Sequence, residues 1–130
     1  PIVKGGDPGV QAISPQTAHT VVDVLKGVLA RGTGVRAQID RPAFGKTGST
    51  DDLADAWFVG ATPTLAVAVW MGDPGARVSM YDVGGQAAFG GTYPAAIWAR
   101  VMTNGLAGAP APDFAPPASD VVHAIVSVRP

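Results

Sequence analysis

The sequence predicts an α+β fold, about three antiparallel strands flanked by two helices, and three patterns predict it. Apolar residues recur at steps of three and four in 14–31 and again in 92–105. Between these stretches lie three short β-prone runs, 44–50, 54–61 and 65–72. The runs are joined by short polar turns, so neighbours pair antiparallel, and helices kept apart from such a sheet define the class.

Residues 1–13 hold Gly5, Gly6, Pro8 and Gly9 and read as irregular chain. Ser14 is a helix cap by type, and Pro15 sits where a missing N–H is harmless. Ala18, Val21, Val22, Leu25, Val28 and Leu29 then form one apolar stripe, and Gly32 is a natural stop. Residues 33–43 are a connection containing Pro42. Asp51-Asp52 supplies turn chemistry after the first strand, and Thr62-Pro63-Thr64 makes a tight turn between the second and third. The glycine-rich stretch 73–91 reads as a long loop, of the kind that is often functional or mobile. Thr92 and Pro94 open the second helix, Ile97, Trp98, Val101 and Met102 give its spacing, and Asn104-Gly105 ends it. The expected organisation is a folded segment 1–106, a Pro/Ala-rich linker or tail 107–120, and a possible terminal strand in 121–130. Two helices on three strands make a thin core, so a face or edge left for further elements is expected.

The chain has 130 residues, enough for one small domain, and 47% hydrophobic against 15% charged residues favours folding over disorder. A net charge of -1 gives no reason to expect a nucleic-acid partner. Cysteine is absent, which excludes disulfides and thiolate metal sites, and no cofactor is expected. The most apolar run, 65–71, is far too short to span a bilayer. The chain starts at Pro1 with no initiating Met or leader pattern, so it reads as a piece of a longer protein. Its wealth of Ala, Gly, Val and Pro suits a GC-rich source.

The stretch that carries chemistry is Gly45-Lys46-Thr47-Gly48-Ser49-Thr50. A phosphate-binding loop would need Gly at position 40, which is Asp, and a helix directly after the motif, where a strand is expected. The other reading is an edge strand of a serine acyl-transfer site, since Lys-Thr-Gly belongs to that chemistry's motif set. Taken alone, Lys46 reads as an ordinary edge-strand lysine. Trp57, Trp70 and Trp98 read as core or half-core residues rather than sugar platforms. His19 and His123 lack a third ligand. Asp51, Asp52 and Asp55 read as a turn plus one partly exposed strand residue, and Gly84-Gly85 with Gly90-Gly91 do not make a nucleotide fingerprint.

The motif's company gives it weight. The helix in 14–31 with Gly32-Thr33-Gly34, the Lys-Thr-Gly strand, Asp55-Ala56-Trp57-Phe58-Val59-Gly60 with Thr62-Pro63, Ala68-Val69-Trp70-Met71-Gly72, and Gly90-Gly91 ahead of Ala95-Ala96-Ile97-Trp98 occur in one order. Over about residues 14–105 this resembles the C-terminal part of the transpeptidase domain of a class A penicillin-binding protein, of an actinobacterial kind. The resemblance implies a partial penicillin-binding/β-lactamase-like fold from a serine D,D-transpeptidase. Such an enzyme cross-links peptidoglycan stem peptides at the extracytoplasmic face of the bacterial membrane and is acylated by β-lactams. It implies Lys46 and Ser49 as catalytic contributors, and Thr47, Gly48, Ser49 and Thr50 as substrate-binding residues. Lys46 would stabilise anionic forms near the nucleophile, the hydroxyls would meet the D-Ala-D-Ala or β-lactam carboxylate, and the Ser49 N–H would be half an oxyanion hole. One such donor is worth about 3 kcal/mol in the transition state.

The departure from the pattern is plain. Residues three after each serine are Thr17, Asp52, Asp82, Val122 and Pro130, so no Ser-x-x-Lys nucleophile exists, and no Ser-x-Asn exists either. The implied partners are therefore the stem peptide, β-lactams and a missing N-terminal part of the domain, and this chain alone is expected to be inactive. The alternatives are a non-catalytic module that captures peptides by strand addition, and a segment of a D,D-carboxypeptidase or β-lactamase relative.

Overall fold

A computed structural model describes residues 10–117 of the chain; the possible strand in 121–130 lies outside them. Helix α1 spans Pro15–Arg31, strands β1, β2 and β3 span Phe44–Ser49, Asp55–Ala61 and Ala66–Gly72, and helix α2 spans Tyr93–Gly105. A 3-10 turn, Val35–Ala37, follows α1. The strands form one antiparallel sheet in the order β1-β2-β3. This is the expected α+β arrangement.

The local chemistry acts as its residue types suggest. The Ser14 hydroxyl accepts from the Thr17 N–H at 3.1 Å, which caps α1. At the other end the N–H groups of Gly32 and Gly34 both reach the Val28 carbonyl, at 3.2 and 3.0 Å. The β2–β3 turn closes through Thr62, whose N–H donates to the Leu65 carbonyl at 2.9 Å, so β3 starts one residue later than the apolar run. The β1–β2 turn contains Leu53 at φ 55°, the one non-glycine residue in the left-handed region among those described.

The core lies between one face of the sheet and the helices. Phe58 of β2 and Trp98 and Met102 of α2 are fully buried, with Leu29 of α1, Ala37, Ala43 and Leu106 around them. Phe58 and Trp98 meet edge to face at 5.3 Å. The Trp98 indole N–H is shared between the carbonyls of Gly60 and Val67, at 3.3 and 3.1 Å, so burial leaves no polar atom unpaired. Gly60 is required by this contact, because a Cβ there would lie 2.8 Å from the Trp98 ring.

The loop 73–92 is folded against the sheet. Met80 N–H donates to the Leu53 carbonyl at 3.1 Å, and Ala88 N–H to the Met80 carbonyl at 2.8 Å. Met80 and Ala88 bury themselves against Ala56 in a second small core. After α2 the chain returns to α1: Asp113 pairs with Lys26 at 3.0 Å, and Phe114 packs on Phe44.

The tryptophans divide. Trp98 is core, but Trp57 and Trp70 are 42% and 40% exposed, paired across β2 and β3 with ring centroids 6.2 Å apart. They lie on the sheet face opposite Phe58, whose far end meets Leu25 of α1 and Phe114, and period-2 patterning could not tell that face from a buried one.

Candidate active-site edge

Strand β1 carries the motif and, among the described residues, pairs on one side only, with β2. Directly opposed residues of an antiparallel pair alternate between those that exchange hydrogen bonds and those that exchange none. Thr50 N–H donates to the Asp55 carbonyl at 3.0 Å, one step beyond the Ser49–Ala56 pair. The 48–57 and 46–59 pairs share that bonded phase. Thr47 and Ser49 therefore turn their N–H and C=O groups toward the unpaired side of β1.

Lys46 sits in this frame as an exposed residue, and its ammonium donates to the Thr47 carbonyl at 2.9 Å. The cation is thus folded along the open edge, one residue from the Gly48 that leaves the backbone unshielded there.

The hydroxyls of Thr47 and Ser49 lie on the other face, the one shared with Phe58 and Ala56. Thr47 Oγ1 is 2.8 Å from Thr33 Oγ1, and Ser49 Oγ accepts from the Gly90 N–H at 2.9 Å. Thr50 is placed differently, because its hydroxyl accepts from the Asp55 N–H at 2.9 Å and closes the β1–β2 turn. The structure thus brings Lys46, Thr47, Gly48 and Ser49 to one edge and commits Thr50 to the turn. Thr33 and Gly90 are neighbours of the site that the motif alone does not name.

The turn beside the edge is tied down by charge. Arg77 grips Asp52 through two bonds of 2.9 and 2.7 Å. The hydrogen-bonded guanidinium holds the Asp52 carboxyl below its usual range and raises Arg77 in return. Across the molecule, the Lys26 ammonium lowers Asp113 in the same way.

Chemically, the edge offers outward backbone donors and acceptors, one ammonium and two braced hydroxyls. That set suits an extended peptide ending in a carboxylate. It contains no activated nucleophile.

No family model matches the chain. Curated relatives do. The chain is 39% identical over 94 residues to penicillin-binding protein 1A of Clostridium acetobutylicum, covering 71% of this chain and 11% of that protein. It is 37% identical over 112 residues to penicillin-binding protein 1A of Neisseria lactamica, covering 85% and 13%. It is 35% identical over 126 residues to penicillin-binding protein 1A of Aquifex aeolicus, covering 93% and 16%. The chain thus spans only a small part of the relatives it matches. Among solved structures it is similar to penicillin-binding protein PonA1 of Mycobacterium tuberculosis, with a TM-score of 0.68 and 25% identity over 88% of this chain and 34% of that one. The same protein in complex with penicillin V matches with a TM-score of 0.70 and 30% identity, over 80% and 29%. Sheet and relatives agree, and the chain belongs to the class A penicillin-binding protein family.

Proposed function

We propose that the chain is the C-terminal part of a transpeptidase domain and supplies one wall of a serine acyl-transfer site. The observation that carries this is the β1 edge, where Ser49 directs its N–H to the unpaired side, beside the Lys46 ammonium. A stem peptide or β-lactam lies along this edge, and its carbonyl oxygen takes the Ser49 N–H as half of an oxyanion hole. Lys46 stabilises negative charge near the nucleophile, and the Thr47 and Ser49 hydroxyls meet the substrate carboxylate. The other half of the hole and the Ser-x-x-Lys nucleophile belong to a part that precedes residues 1–106 in the intact domain. The Pro/Ala-rich stretch 107–120 is read as a linker or tail of that domain. The intact protein is a D,D-transpeptidase that cross-links peptidoglycan outside the cytoplasmic membrane. A solved relative in complex with penicillin V supports the β-lactam part of this reading.

The open sheet face fits the same reading. Trp57, Val59 and Trp70 are each 40% exposed or more, on the face that also carries Lys46. We infer that the nucleophile-bearing part packs there. The test is labelling with a fluorescent penicillin. The isolated chain gains no covalent label, and joining it to the upstream part of its own reading frame produces one. A stable adduct on the isolated chain, or none on the joined protein, would refute the proposal.

A further inference from the structure

We propose that Thr33 and the Gly90-Gly91 segment are positioning residues that brace the Thr47 and Ser49 hydroxyls from behind, so that both O–H bonds are free to donate to the substrate carboxylate. The inference rests on the reading above and adds to it a second layer of the site.

The brace is built of close contacts between distant parts of the chain. A Cβ on Gly90 would lie 2.2 Å from the Trp57 carbonyl oxygen and 2.8 and 3.0 Å from the Gly48 nitrogen and oxygen. No side chain fits there, so the Gly90 backbone lies directly on the Gly48–Trp57 pair. From that place its N–H reaches Ser49 Oγ at 2.9 Å. A Cβ on Gly91 would lie 2.3 Å from the Thr33 carbonyl oxygen, so the next residue presses on Thr33. Thr33 in turn meets the Thr47 hydroxyl at 2.8 Å. One strip of backbone therefore backs both hydroxyls.

The strip is anchored. The buried Thr92 hydroxyl accepts from the Phe89 N–H at 2.9 Å and donates to the Phe89 carbonyl at 2.8 Å. Helix α2 starts directly after it, and α2 is held in the core by Trp98.

A hydroxyl has one proton and two lone pairs. Ser49 Oγ spends a lone pair on Gly90 and keeps its proton. Thr47 does the same when Thr33 is the donor. An accepted hydrogen bond polarises the remaining O–H and makes it a better donor. Ser49 is exposed and Thr47 half-buried, so both protons can be offered to a ligand at the edge.

The test uses the full-length protein and the rate of acylation by a penicillin with a free carboxylate, compared with its methyl ester. Thr33→Val removes the bracing hydroxyl while nearly keeping the shape. It should slow acylation by the free acid about three- to tenfold, the worth of one net hydrogen bond, and leave the ester rate unchanged. Thr33→Ser should restore the free-acid rate. Gly105→Ala, where the added methyl meets nothing nearer than 3.8 Å, should change neither rate. Thr33→Val falls on an exposed residue, so the chain should fold normally and the comparison of acid with ester stays decisive. An unchanged free-acid rate in Thr33→Val, or equal slowing of acid and ester, would overturn the inference. If the unaltered protein is not acylated at all, the underlying reading falls, and this inference falls with it.

Discussion

The two faces of the sheet are built from the same strands and have opposite fates. On one face Phe58, packed on Trp98 and Met102, is completely shielded from solvent. On the other, Trp57, Val59 and Trp70 stand in the open. Alternating residues of β2 thus separate a finished core from an unfinished one. A row of large apolar side chains left bare is a surface for something else to cover. The face bearing the bare row also bears Lys46, whereas the bracing contacts to Thr47 and Ser49 come from the finished face. The strand is stiffened from the side the chain completes and offers its cation on the side it leaves open.

The largest expected effect is on the finished face. Trp98→Ala removes the ring that fills the core and should destabilise the chain by about 3–5 kcal/mol, read as a fall in the denaturant midpoint. An equal loss from Trp57→Ser would contradict the comparison. That substitution removes one half-exposed ring of a cross-strand pair, so about 1 kcal/mol or less is expected in this chain. In the full-length protein the same change should cost more, if the open face is covered there. Equal costs in the two contexts would show that nothing packs on it.

A smaller effect concerns the turn beside the edge. Arg77 lowers Asp52 in the folded chain, so their pairing adds stability at neutral pH. That contribution is lost as pH falls below the ordinary carboxyl value of 3.8 and through the lower folded value. Asp52→Asn should therefore lower the melting temperature slightly at pH 7 and leave it unchanged in strong acid. The Lys26–Asp113 pair obeys the same sign.

What was legible in the sequence follows from range. The caps, stripes and turns that define α1, the three strands and α2 act over a few residues, and Ser14, Gly32 and Thr62 do locally what their types suggest. The Lys46–Ser49 stretch was legible because motif and strand coincide. The Thr33–Thr47 and Ser49–Gly90 contacts were not, since they join residues 14 and 41 apart and depend on how the loop folds back. The glycine pair was visible, but its reason is tertiary, a close approach to Gly48 and Trp57. The exposure of Trp57 and Trp70 was equally hidden, because a strand's alternation marks two faces without saying which one the chain itself will cover.

The central claim is that the outward N–H of Ser49 stabilises an oxyanion on the open edge of β1. Ser49→Pro deletes that N–H, and an edge strand tolerates proline where its N–H faces away from the sheet. Ser49→Ala keeps the N–H and removes the hydroxyl in the same way. The direct measurement is the penicillin acylation rate of the full-length protein in these two variants. Ser49→Pro should be about 10²- to 10³-fold slower than Ser49→Ala, the loss of one oxyanion donor. Equal rates would contradict the account.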